Sequence, residues 1–297
     1  MESKILLKIT YDNTSLKKEV EKIIKFPYIV DSYTEFVFGH LHMHILWNGS
    51  GDSRENVFSD SENVAVPTDL GEQLPYINSV IKKYFKTEKI AMVRANHLFN
   101  CLLVPHRDYT EIEDGYNRLI RLHLPIHTEM SCLNSEEETV FHMKEGEIWM
   151  LNVSGVHAAN CPTSFPRISI MIDFFCNNKD VASVFKDPGI LTETISPTLI
   201  ERQKMDDEFL NSLQNLSAII NEKNYVDIVQ LLSKVHFYKG VPIRDFYDWL
   251  DEICEKSGNQ RLVEKSKKLK SFFSIKRELN ERFSYEVEEE ETPITQA

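Results

Sequence analysis

Between residues 88 and 175 the chain breaks into short apolar runs: Ile90–Val93, Cys101–Val104, Ile120–Ile126, Thr139–Met143, Ile148–Val153 and Ile168–Phe175. Polar or turn-forming segments separate them, and Glu145-Gly146-Glu147 reads as a tight turn. Many short strands at this spacing fold as an antiparallel sandwich or barrel. Beyond residue 195 the pattern reverses. Residues 198–221, 225–236, 243–257 and 260–283 read as helices, with Leu210, Leu213, Leu216 and Ile220 on one helical face. Upstream, residues 4–9 read as a strand, 14–25 and 75–85 as helices, 33–47 as a strand pair or one long strand, and 55–72 as polar and turn-rich. The expected architecture is a mainly β core over residues 1–190, with histidine segments at the two ends of the strand-rich region as a double-stranded β-helix (jelly roll) site requires. A C-terminal α-helical domain over 191–284 and an acidic, disordered tail over 285–297 complete it.

The two ends of the strand-rich region carry the candidate chemistry. His106 and Asp108 stand at i and i+2 after the run Leu102-Leu103-Val104, so on a strand both point to one face. Taken alone, they also describe a surface histidine beside an Arg–Asp charge pair. His157 follows Trp149–Val153 and the turn Ser154-Gly155, and Arg167 opens the last apolar run. Two imidazoles and a carboxylate can occupy one face of an Fe(II) ion and leave positions for a co-substrate and O2. Arg167 then offers a charged fork for a distal carboxylate such as that of 2-oxoglutarate. Arg121 and His123 share a face at i and i+2 and could contact substrate and co-substrate. Outward-facing alternation on a half-exposed strand explains them equally well. Arg94, on the strand feeding the site, is a weaker candidate for a substrate carboxylate. His40, His42 and His44 alternate on one strand face. Without a further ligand they make a poor zinc site, and they read as surface residues or as pocket lining.

A net charge of −12 argues against nucleic acid as partner. The five cysteines form no CxxC pair and read as free thiols in a reducing compartment. The first apolar run is too short and too charged for a signal peptide, and nothing approaches the ~20 apolar residues of a membrane span. A cytoplasmic protein is expected, with no membrane partner. The annex helices are where a homodimer could form.

On Gln73–Asn78, Val104–Tyr109, Phe141–Trp149, Val156-His157, Leu231–His236 and Glu281–Ser284, the chain resembles the bacterial free L-proline cis-3/cis-4-hydroxylases. These are Fe(II)/2-oxoglutarate dioxygenases related to the aspartyl/asparaginyl β-hydroxylases. The resemblance implies His106, Asp108 and His157 as iron ligands, Arg167 on the distal carboxylate of 2-oxoglutarate, His123 on 2-oxoglutarate and Arg121 on substrate. It implies oxidation of a small free amino acid, L-proline first, with release of succinate and CO2. Pipecolate or lysine, a peptide substrate, and a metal-binding module without turnover are the competing expectations. The segment Gly39–Trp47 departs from the family pattern.

Overall fold

The computed structural model describes residues 1–28, 34–59, 63–108, 119–176, 180–192, 195–278 and 281–287. Its strands are β1 (Lys4–Lys8), β2 (Val37–Asn48), β3 (Val66–Pro67), β4 (Ile90–His106), β5 (Leu119–His127), β6 (Leu133–Glu136), β7 (Thr139–His142), β8 (Glu147–Met150), β9 (His157–Cys161), β10 (Arg167–Phe175) and β11 (Thr198–Leu199). Its α-helices are α1 (Asn13–Ile23), α2 (Pro75–Tyr84), α3 (Asp207–Gln214), α4 (Tyr225–Lys234), α5 (Asp245–Ser257) and α6 (Gln260–Lys270).

The strands form one curled antiparallel sheet in the order β1-β8-β5-β10-β4-β9-β6-β7-β11. β4 is the hinge of the roll. Its first half pairs with β10, with Arg94 opposite Met171, and its second half pairs with β9, with His106 opposite His157. The two runs expected at 90–93 and 101–104 are therefore one strand that bends from a major sheet (β8-β5-β10-β4) into a minor sheet (β4-β9-β6-β7). This is the expected double-stranded β-helix. The bend lies at Asn100, where φ is +43°, and β2 accommodates it through Gly39 at φ +97°. A Cβ on Gly39 would lie 1.8 Å from the Asn100 carbonyl oxygen, so no other residue fits there. β2 pairs with β4 as a single long strand.

Period-two alternation divides β10. Ile168, Ile170, Ile172 and Phe174 face outward against Leu16, Val20 and Ile23 of α1 and Ile77, Val80 and Ile81 of α2. Glu19 of α1 joins the two helices, because its buried carboxylate accepts the N–H groups of Tyr76 (2.7 Å) and Ile77 (2.8 Å) at the start of α2. Arg167, Ser169 and Met171 face the interior cavity between the sheets.

The C-terminal helices cover the outer face of the minor sheet. Leu102, Val104, Val140, Val156 and Ala158 share one apolar cluster with Ile228, Leu232, Leu250, Ile253 and Phe273. The helix expected over 198–221 begins only at Asp207. Thr198 and Leu199 instead extend the minor sheet by pairing with β7, and Asp206 caps α3 through the Phe209 N–H. The helix expected over 260–283 ends at Lys270. A wider turn, Ser271–Ile275, then buries Phe272 and Phe273 beneath the metal-side strands. Of the expected tail, Tyr285 and Val287 pack on this cluster, and the Tyr285 hydroxyl donates to the Glu35 carbonyl at 2.8 Å. Residues 288–297 lie outside the described residues. All five cysteines are free and buried. Among the described residues no helix is long and apolar enough to cross a membrane.

Candidate metal centre

His106 ends β4, His157 begins β9, and the two are direct cross-strand partners with ring centroids 4.4 Å apart. Each donates its Nδ1–H to a backbone carbonyl two residues earlier, His106 to Val104 (2.7 Å) and His157 to Gly155 (3.0 Å). That fixes the tautomer and leaves the Nε2 lone pairs for a ligand. Asp108 Oδ1 lies 3.4 Å from His106 Nε2 and 4.0 Å from His157 Nε2. One candidate ligand atom from each of the three residues falls within 4.8 Å of the others, and no other such group occurs among the described residues. Burial, with His106 adding to it, pushes His157 down to about 4, so its ring is neutral and can ligate a metal. Burial alone would raise Asp108, but the Arg121 guanidinium on its Oδ2 and the two imidazoles beside its Oδ1 hold it well below the usual carboxylate range. The donor set fits a divalent transition ion with open positions.

The helical annex pins this motif. Arg107 N–H donates to the Phe273 carbonyl (2.9 Å), Arg277 Nη1 donates to the Arg107 carbonyl (3.0 Å), and the Tyr247 hydroxyl of α5 donates to the Pro105 carbonyl. Phe36 packs against the His106 ring at 4.9 Å, and the Arg277 guanidinium lies 5.0 Å over Phe36.

Arg167 stands at the other end of the cavity. It is 5% exposed, its Nη2 donates to Asn134 Oδ1 at 3.1 Å, and its remaining contacts are the sulfurs of Cys161 and Met143. Among the described residues no carboxylate pairs with it. Its Nε, Asn134 Nδ2, Ser169 Oγ and His123 Nε2 are buried without hydrogen-bond partners. An orphan polar atom costs ~1–3 kcal/mol, and a buried ion without a counter-ion several more. This end of the cavity is therefore built for an anion, and the residues fit a dicarboxylate reaching from the metal to Arg167. His123 is neutral there, pushed down to about 3 by burial and by the charges of Arg121 and Arg167.

A family model described as aspartyl/asparaginyl beta-hydroxylase matches residues 55–176, and one described as L-proline 3-hydroxylase, C-terminal, matches residues 181–281. L-proline cis-3-hydroxylases 1 and 2 of a Streptomyces species are each 33% identical to this chain, over 96% of it and 99% of their own length. L-proline cis-4-hydroxylase of Rhizobium meliloti (strain 1021) is 31% identical over 96% of this chain and 100% of its own. The chain belongs to the L-proline cis-hydroxylase family.

Within this family member, Arg121 and Arg94 are not the open forks expected from the sequence. Arg121 Nε binds Asp173 Oδ1 at 2.7 Å and its Nη1 binds Asp108 Oδ2 at 2.9 Å, while Arg94 Nη2 binds Asp173 Oδ2. Arg121 thus holds one oxygen of the metal carboxylate and leaves Oδ1 turned to the histidines. Asp173, fully buried and directly opposite Arg121 in register, is the shared partner of both arginines, which the sequence reading missed. Its only signal was an acid inside an apolar run. Of the two readings of His40, His42 and His44, surface residues or pocket lining, the second does not hold. Leu41 and Met43 line the pocket, and the histidines occupy the opposite face of β2. There His42 stacks on Tyr28 at 3.8 Å, His40 stacks on Phe99 at 4.6 Å, and the His42 and His44 rings approach His97.

Proposed function

We propose that this protein is an Fe(II)/2-oxoglutarate-dependent dioxygenase that hydroxylates free L-proline at carbon 3 or carbon 4. The observation that carries the reading is one cavity joining the His106–Asp108–His157 group to a buried, carboxylate-free Arg167. The full-length match to L-proline cis-3- and cis-4-hydroxylases supports the choice of substrate.

When bound, iron and 2-oxoglutarate supply the oxidising power that places one oxygen atom of O2 on a carbon of the substrate, with succinate and CO2 released. His106, Asp108 and His157 would hold the metal. Arg167, steadied by Asn134, would hold the distal carboxylate, and neutral His123 would donate a hydrogen bond along the co-substrate. Arg121 keeps Asp108 ionised and oriented. The buried Nε of Arg94, without a hydrogen-bond partner among the described residues, is a donor for a substrate carboxylate. Phe36, Leu41, Met43 and Leu103 supply apolar walls on which a pyrrolidine ring can rest and from which water is excluded.

The test is incubation of the purified protein with Fe(II), 2-oxoglutarate and a panel of free amino acids that includes L-proline, pipecolate and lysine, with a prolyl peptide in competition. Succinate should form with L-proline, and NMR of the product assigns the carbon. Asp108→Ala should abolish L-proline-dependent succinate. No succinate above the amino-acid-free control would overturn the reading.

A further inference from the structure

Two carboxylates line the cavity, Asp108 and Glu136. Asp108 belongs to the metal group and is paired with Arg121. Glu136 is only 2% exposed, and no cation pairs with it among the described residues. Its oxygens accept three neutral donors: the N–H groups of Glu2 (2.7 Å) and Ser3 (2.9 Å), and Asn152 Nδ2 at 3.4 Å. An ionised carboxylate offers about four lone-pair positions, so room for a further donor remains, and a buried anion without a counter-ion is costly.

The placement of Glu136 is as telling as its charge. Asn134 and Glu136 share the inner face of β6, and Glu136 is the direct cross-strand partner of His157. Asn134 holds Arg167, and Glu136 stands beside an iron ligand at the other end of the same short strand. The cavity thus presents guanidinium groups for anions and one carboxylate for a cation, a match to a zwitterion.

We infer that Glu136 accepts the ammonium group of the free amino acid substrate. The inference rests on the proposed function and adds to it the basis of substrate class. In a pyrrolidine every ring carbon lies within two bonds of the nitrogen. Anchoring that nitrogen next to the metal ligands therefore decides which edge of the ring faces the iron. A prolyl residue inside a peptide has an amide nitrogen without hydrogen and offers Glu136 nothing. The same contact selects the free amino acid against the chain.

Glu136 also ties down the start of β1, so the test must separate recognition from folding. The two ligands are L-proline and tetrahydrofuran-2-carboxylate, the same ring with oxygen in place of the ammonium. Binding of each to the Fe(II)- and 2-oxoglutarate-loaded protein is measured by anaerobic calorimetry, beside the KM for L-proline and for 2-oxoglutarate. Wild type should prefer L-proline over the ether by roughly 10- to 100-fold, the range of a charge-assisted hydrogen bond. Glu136→Gln should raise the KM for L-proline by roughly the same factor, leave the KM for 2-oxoglutarate unchanged, and leave ether binding unchanged, so that the preference collapses. Equal loss for both ligands, or an unchanged KM for L-proline, would overturn the inference. Should Glu136→Gln not fold, wild type alone decides, because equal affinity for the two ligands excludes an ammonium acceptor. Wild-type protein that binds L-proline over the ether but forms no succinate would sink the proposed function and leave Glu136 standing.

Discussion

Arg167 and Asp173 sit towards opposite ends of β10 with opposite balances of charge. Among the described residues, Arg167 is a buried cation with no carboxylate partner, and Asp173 is a buried anion with two cations. Arg167→Lys keeps the charge but loses the planar fork, so the KM for 2-oxoglutarate should rise roughly tenfold, and Arg167→Ala should raise it roughly a hundredfold or more. In steady-state assays the KM for L-proline should barely move, because the proposed substrate contacts, Glu136 and Arg94, do not touch Arg167. Burial alone would raise the Asp173 carboxyl, but the charges of Arg121 and Arg94 hold it below its ordinary value. Asp173→Asn leaves both guanidiniums facing a neutral amide in a dry interior. Denaturant unfolding should show a loss of about 3–5 kcal/mol, and iron affinity should fall with it as Arg121 loses its bond to Asp173. The grouping of His106, Asp108 and His157 was legible in the sequence because metal chemistry restricts residue types at fixed spacing. Asp173 was not, because its meaning depends on the β5–β10 register that sets it opposite Arg121.

At the scale of elements, β6 and β9 escaped the sequence, as did the two-residue β3 and β11. The inner faces of β6 and β9 carry Asn134, Glu136 and His157, with the small Ala159 between. A sheet that surrounds a polar site cannot keep the apolar alternation by which strands are read. The outer face of β2 shows the opposite case, where alternation was plain but its direction was not. Leu41 and Met43 turn to the cavity, and the imidazoles turn away into a layer with His97, Phe99 and Tyr28. Burial first, then neighbouring histidines, pushes His97 down to about 4, and burial pushes His44 to about 4 although the Pro27 carbonyl opposes it. No carboxylate contributes to either shift; His40, His42 and His127 are the other titratable neighbours. Unfolded imidazoles take up protons below about 6.5, while these two resist until about 4. Stability is therefore fully present above pH 6.5 and declines as pH falls towards 4, by an amount on the order of 3 kcal/mol for each imidazole. Below 4 these groups add no further loss. Thermal unfolding across this range should show the slope, and His97→Phe should make it shallower by the share of one imidazole.

For the whole molecule, the decisive relation is between the roll and its helices. The sequence reading cut the chain at residue 190, since strand-like and helix-like runs hardly mix. Yet the outer face of the minor sheet and the inner faces of α4 and α5 form one apolar cluster. The metal motif also hangs from the helical side, through the Phe273 carbonyl, Arg277 and the Tyr247 hydroxyl. Ser135 of β6 and His236 meet across the same boundary at 2.9 Å. Removing the helices would expose Leu102, Val104, Val140, Val156 and Ala158 and leave the backbone around His106 without its partners. Each large apolar side chain so exposed costs about 1.5–3 kcal/mol, roughly 6–12 kcal/mol for the four, which is as large as the 5–15 kcal/mol that holds a domain folded. A protein of residues 1–190 should therefore fail to fold or bind iron, and it should aggregate or show a molten near-ultraviolet spectrum. The intact chain should unfold in one transition, with tryptophan fluorescence (Trp149 in the roll, Trp249 in α5) and far-ultraviolet ellipticity changing together. Two separated transitions, or a well-folded 1–190 fragment that binds iron, would show that the roll stands alone and that the annex only decorates it.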